Sequence, residues 1–233
     1  MVPWNLQETR ERVENRYGDS QLQLVRKCLE SIVDRQRYAG YHFHEHHRLL
    51  SEHIDERLTS KSIYEIALAF EPTEQAELDL CLTRVSANIV ACVQSMHSLV
   101  DILAHVVYFA LGKNTGSEKL KEQEISLASV VRLLNKAPTL AELANILEGI
   151  SKHPDFAYLN ALVNHSKHRS IVGTVLSVDP PAEGRAPYVL LFDEFTYRDR
   201  SYPRRDIKPF LEPTYACLSQ EIVNCGNALN RVL

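Results

Sequence analysis

Apolar residues recur at helical spacing along most of this chain, and the breaks fall at glycine, proline and serine positions that punctuate helices. Residues 6–17 carry such a pattern up to Gly18, and Ser20 is placed to cap a long helix from Gln21 to about Leu58, interrupted or bent near Gly40. Tyr64, Ile66, Leu68 and Phe70 stand at alternate positions, the period of a short strand, although the alanines between them also permit helix. A second long helix is predicted from Pro72, with Thr73 as a cap, to Leu111, where Gly112 and the turn at 113–116 stop it. Shorter helices follow at 126–136, 140–151 and 155–166, punctuated by Pro138 and Pro154.

The period then changes. Residues 170–178 and 188–197 are rich in Val, Ile, Leu, Phe and Tyr around a turn-forming stretch at 179–184, the pattern of an antiparallel hairpin to which 64–70 would add a third strand. From Ile207 to Val232 helical periodicity returns, with Pro209 and Pro213 expected to confine its regular part to the later residues. The fold expected is mainly α: a helical bundle with a small β-hairpin, at about 170–197, inserted before the C-terminal helix of one domain spanning 1–233.

Composition narrows the partners. With 26 Lys and Arg against 30 Asp and Glu in 233 residues, no global field pulls the protein onto a polyanion, so contact with RNA requires a local basic patch. The five cysteines are odd in number, scattered and without a CxxC pair, which points to reduced thiols in a cytoplasmic protein and away from structural zinc. The N-terminal residues become charged at Glu8, Arg10, Glu11 and Arg12, unlike a signal peptide. The apolar run at 89–111 contains His97, Asp101 and His105 in its middle, which favours a buried helix over a membrane span, so no membrane partner is expected.

Four constellations could carry chemistry. At the end of the helix predicted to stop near Ser166, Asn164, His165, Lys167, His168 and Arg169 combine imidazoles that exchange protons near neutral pH with cations that hold phosphate; the same cations would also complement the helix dipole. His97, Asp101 and His105, four residues apart, share one side of a helix and could orient His168 or, less readily, hold a metal. His42, His46 and His53 share another face, but Arg48 stands where a metalloprotease helix needs its second histidine, so a solvated face is favoured there. Finally, Tyr197, Arg198, Arg200, Tyr202, Arg204 and Arg205 place guanidinium groups for phosphates beside rings that stack on unpaired bases, with Asp199 and Asp206 available to neutralise part of the charge.

This arrangement resembles the HEPN superfamily of helical bundles, in which an arginine and a polar residue precede a histidine late in the bundle. Asn164 and His168 match the polar residue and the histidine, and Val163 occupies the arginine position. The resemblance implies a homodimer and an RNA- or nucleotide-linked role in bacterial defence or toxin–antitoxin systems. Where such a protein is active, it implies RNA cleavage without a metal or other cofactor. His168 would take the proton from a 2′-hydroxyl, with Asn164, His97 and Asp101 around it. Lys167 or Arg169 would stand in for the missing arginine, although guanidinium geometry does not transfer to a lysine or to a displaced position. The alternatives are a noncatalytic dimerisation or binding module and a metal-dependent helical-bundle enzyme. The first expectation for the structure is that His97 and Asp101 share a cavity with Asn164 or His168.

Overall fold

The computed structural model describes residues 2–117, 119–178 and 186–233. Its order is α1 (Leu6–Tyr17), α2 (Asp19–Leu50), a π-helical turn (Ser51–Asp55), a 3-10 turn (Arg57–Thr59), α3 (Ile63–Leu68) and α4 (Pro72–Ala110). Then follow α5 (Leu127–Leu134), α6 (Ala141–Lys152), α7 (Pro154–His168), β1 (Thr174–Val178), β2 (Tyr188–Phe192), β3 (Phe195–Tyr197), β4 (Arg200–Tyr202), β5 (Arg205–Asp206) and α8 (Ile207–Val232). The fold is mainly α, with the small β region directly before the C-terminal helix. The chain divides into two units, one of residues 1–37, 95–157 and 214–233 and the other of 38–94 and 158–213.

Among the described residues, the regular elements of the first unit are all helical. Its core is built from Val25, Leu29, Met96, Leu99, Leu103, Leu143 and Leu147, all buried. Asn5 caps α1 by accepting from the Glu8 N–H, and polar bonds tie α1 to the end of α8: Trp4 donates to Thr9, which donates to Asn230 at 2.5 Å. Gly226 is the residue against which the Trp4 indole lies, at a spacing that leaves no room for a β-carbon. Gly112, at φ +63°, ends α4 in the left-handed conformation and packs against the Tyr17 ring.

In the second unit, β1 and β2 pair antiparallel with Val175 opposite Leu191, and β5 adds to the other edge of β2 with Phe192 opposite Arg205. The predicted hairpin is therefore present, trimmed to residues 174–178 and 188–192, while its predicted turn at 179–184 lies outside the described residues. The expected second strand continues past Asp193 and Glu194 into a separate small hairpin, β3–β4, in which Phe195 faces Tyr202.

Three expectations need correction. Residues 64–68 are helical, and no third strand forms over 64–70, because Ser62 and Glu65 form a capping box: the Ser62 side chain accepts from the Glu65 N–H and the Glu65 carboxylate accepts from the Ser62 N–H. Ile63 and Ile66, three apart, are the buried pair, whereas the alternating Tyr64, Leu68 and Phe70 are exposed. The helix α2 runs unbroken through Gly40, where glycine costs only about 1 kcal/mol against alanine, and the hydrogen bonding changes at Ser51 instead. Lastly, α8 begins at Ile207 and runs on through Pro213. Pro209 is tolerated in the first turn, where the missing N–H has no partner in the helix, and Pro213 forfeits one interior bond without ending it.

Candidate functional site

The last turn of α7 closes on itself. The N–H groups of Arg169 and Ser170 both donate to the His165 carbonyl, at 2.9 and 3.3 Å, and the chain then turns so that the Ser170 carbonyl meets His165 Nδ1 at 2.9 Å. A carbonyl can only accept, so Nδ1 carries a proton, and in the neutral imidazole the lone pair is that of Nε2. The imidazole is buried and lies 5.4 Å from the Phe195 ring, centroid to centroid.

Phe195 comes from the β3–β4 hairpin. Directly opposite it, Tyr202 stacks at 4.7 Å with an interplanar angle of 5°. The Arg200 guanidinium lies 5.2 Å from the Tyr202 ring centre. The two residues joining these strands, Arg198 and Asp199, have φ of +49° and +60°, the left-handed conformation of tight hairpin turns that usually carry asparagine and glycine. Here the tip of the hairpin carries a cation and a carboxylate instead.

Between the end of α7 and this hairpin lies a cavity of about 730 Å³, lined among others by His165, Arg169, Asp193, Glu194, Phe195 and Tyr202. Asp193 accepts from Arg204 at 2.9 Å and from the Glu194 N–H, and these bonds, the guanidinium's first, hold its carboxyl below the usual range. The cavity thus joins a buried imidazole of fixed tautomer, a paired aromatic floor, an exposed guanidinium and two carboxylates.

The expected residues distribute unevenly around it. Arg169 and Tyr202 line the cavity, whereas Asn164 and His168 do not. Asn164 donates to the carbonyl and side-chain oxygens of Asn160, both at 2.8 Å, and His168 is exposed as the last residue of α7. Val163, at the motif's arginine position, is buried. Lys167, Arg198, Arg200 and Arg204 are exposed, and Tyr197 lies under the Arg198 guanidinium at 5.2 Å. Arg205 is half-buried, its guanidinium 4.9 Å from the Tyr158 ring centre and 4.2 Å from that of Phe210, where it braces an aromatic cluster.

His97 and Asp101 belong to the first unit, and Asn164 and His168 to the second. His97 is buried, 3.6 Å from Asp101 and stacked near Phe156 at 6.1 Å, while His105 bonds the Asp101 carbonyl from its own helix. The third constellation also separates. His42 bonds Asn88 at 2.8 Å, His53 meets Arg57, and no group of three His, Cys, Asp or Glu side chains among the described residues is arranged to hold a metal ion.

The residue that sequence reasoning named only as part of the cluster, without a role of its own, is His165. Its signal was present: it lies three residues after Leu162 and seven after Tyr158, on the side of α7 that buries both. Comparison with protein-family models, with curated proteins and with solved structures finds no match to this chain.

Proposed function

We propose that the surface around the end of α7 binds single-stranded RNA, the RNA-linked role in the bacterial cytoplasm that the HEPN resemblance implies, with His165 rather than His168 facing the bound strand. The observation that carries this reading is the cavity in which His165 and Arg169 meet the Phe195–Tyr202 pair. Stacking on an aromatic side chain contributes about 1–3 kcal/mol per base and is indifferent to sequence. A base entering beside Tyr202 would exchange the Arg200 contact for a stack between guanidinium and ring. Because Asp193 and Glu194 also line the cavity, the base is the part that enters, and phosphates run over the exposed Lys167, Arg169, Arg198 and Arg200. This local patch supplies what the overall charge of −4 does not.

A second reading, metal-independent cleavage, is favoured by the tautomer of His165. Its Nε2 can accept a proton from a 2′-hydroxyl, with Arg169 on the adjacent phosphate. The deciding experiment follows labelled oligouridylate and oligoadenylate by fluorescence anisotropy across salt concentrations, and their integrity in EDTA. Binding weakened about tenfold by Tyr202→Ala supports the binding reading; affinity independent of salt and of Tyr202 refutes it. Cleavage in EDTA that is lost in His165→Ala and kept in His168→Ala establishes the second reading, and intact RNA at saturation leaves a binding protein.

A further inference from the structure

A different cavity in the same unit holds a second set of polar groups, which the reading above does not use. It has a volume of about 360 Å³ and is lined by the last turns of α2, the π-helical turn, the first half of β2 and the β5–α8 junction. Its walls are apolar, with Leu50, Val189, Ile207 and Pro209, and its polar groups are His46, His47, Asp55, Tyr188, Asp206 and Lys208.

The π turn puts Asp55 there. At about 100° per residue, five residues of α-helix after Leu50 would leave Asp55 roughly 140° away from the face that carries Leu50. Between Ser51 and Asp55 the bonding lengthens, with the Glu56 N–H donating to the Ser51 carbonyl at 3.1 Å, and the wider turn brings Asp55 round toward that face. The Tyr188 hydroxyl then donates to Asp55 Oδ1 at 2.9 Å, which fixes the carboxylate and leaves Oδ2 for another donor.

His46 is the second observation. Only 1% of it is exposed, it lines this cavity, and its ring interacts with the backbone of His42 and Phe43 one turn back on α2. Its ring lies 4.3 Å from that of His47, and burial pushes both imidazoles toward their neutral forms. At neutral pH the formal charges in the lining are therefore Asp55, Asp206 and Lys208, a balance that does not favour an anion. A small ligand with N–H donors, ring acceptors and a flat apolar body matches each part of the lining.

We propose that this cavity is a binding site for a purine nucleoside, whose exocyclic or ring N–H groups donate to Asp55 and whose ring nitrogens pair with the imidazole of His46. The base lies between Leu50, Val189, Ile207 and Pro209, and the ribose faces the exposed Asp206 and Lys208. The volume suits a ligand of this size, and the polar groups converge at few points on otherwise apolar walls.

Guanosine, adenosine and inorganic phosphate are titrated into the full-length protein by isothermal calorimetry. At the efficiency per heavy atom usual for ligands of this size, a nucleoside binds with Kd on the order of 10–100 μM. One of the two nucleosides is expected to bind in this range and phosphate not to bind. Asp55→Asn keeps an acceptor for Tyr188 and should weaken the nucleoside at least tenfold; Tyr202→Ala, in the other cavity, should leave it unchanged. Binding of neither nucleoside, preference for phosphate, or loss in Tyr202→Ala with retention in Asp55→Asn overturns the proposal. Each of these results is read without oligonucleotide, so failure here is separate from failure of the RNA-binding reading.

Discussion

Burial of His46 should make this protein acid-sensitive in a defined window. Desolvation first, and then the neighbouring His47, lower its pKa from 6.5 to about 4. The folded state therefore releases a proton that the unfolded chain retains between about pH 4 and 6.5, so stability rises with pH across that window and its loss is complete below it. The full shift corresponds to about 3 kcal/mol, of which about 2 kcal/mol is lost between pH 8 and pH 5. For a chain of 233 residues that lowers Tm by roughly 4–8 °C. The perturbation is His46→Leu, which keeps the volume against Phe43, removes the titrating group and leaves no polar atom unpaired. Urea denaturation of both proteins at closely spaced pH values gives the difference directly, because other titrating groups contribute to both curves. The variant should lose about 2 kcal/mol less than the parent between pH 8 and 5. Parallel curves would show that His46 is not held neutral by the fold, and the reasoning would fail.

Gly226→Ala should destabilise by about 1–3 kcal/mol, seen as a lower Tm, because the added β-carbon meets the Trp4 indole; an unchanged Tm would mean the indole leaves that position at no cost. Ser62→Ala removes the capping box of α3 and should cost about 0.5–2 kcal/mol by urea denaturation, more than Thr59→Ala at a neighbouring exposed position that caps no helix; equal losses would deny the box its role. Arg198→Ala should reduce the slope of log K against log salt for single-stranded RNA by about 0.7, the share of one phosphate contact, and an unchanged slope would remove the hairpin tip from the interface. Tyr188→Phe should weaken guanosine or adenosine binding while leaving RNA binding intact, because it frees the Asp55 carboxylate without touching the Phe195–Tyr202 pair.

The helices were legible where one signal dominated. Gly18 and Gly112 stop α1 and α4 at positive φ, and Ser126 caps α5, all local backbone chemistry that the sequence states directly. Residues 64–70 misled because alternation of apolar residues outweighed the Ser62–Glu65 pair, which decides the conformation through two hydrogen bonds. In the cluster at the end of α7, the sequence drew attention to His168, whereas the imidazole in the cavity is that of His165. Which of two histidines three residues apart is buried depends on how α7 packs, and Phe195, the ring that covers His165, comes from a hairpin 30 residues later. The placement of Arg205 against Tyr158 and Phe210 is a tertiary event of the same kind. The pocket around His46 had no single motif, since it draws on α2, β2 and α8 and depends on a change of helical hydrogen bonding at Ser51.

That change also alters how the pocket responds to the length of the chain. A π turn holds one residue more than an α turn, so it behaves as an absorbed insertion. Removing a single exposed position such as Glu52 would let the helix resume ordinary bonding, with Asp55 then four places after Leu50 and roughly 40° from it around the axis. The carboxylate would stay on the face that carries Leu50, and the bond to Tyr188 would remain within reach. Pulling the same five residues into α-helical bonding at unchanged length would instead turn Asp55 away from the cavity and break that bond, although every lining residue was still present. Chains that share this pocket can therefore differ by one residue between Leu50 and Asp55, and the counterpart of Asp55 has to be sought by helical phase rather than by counting.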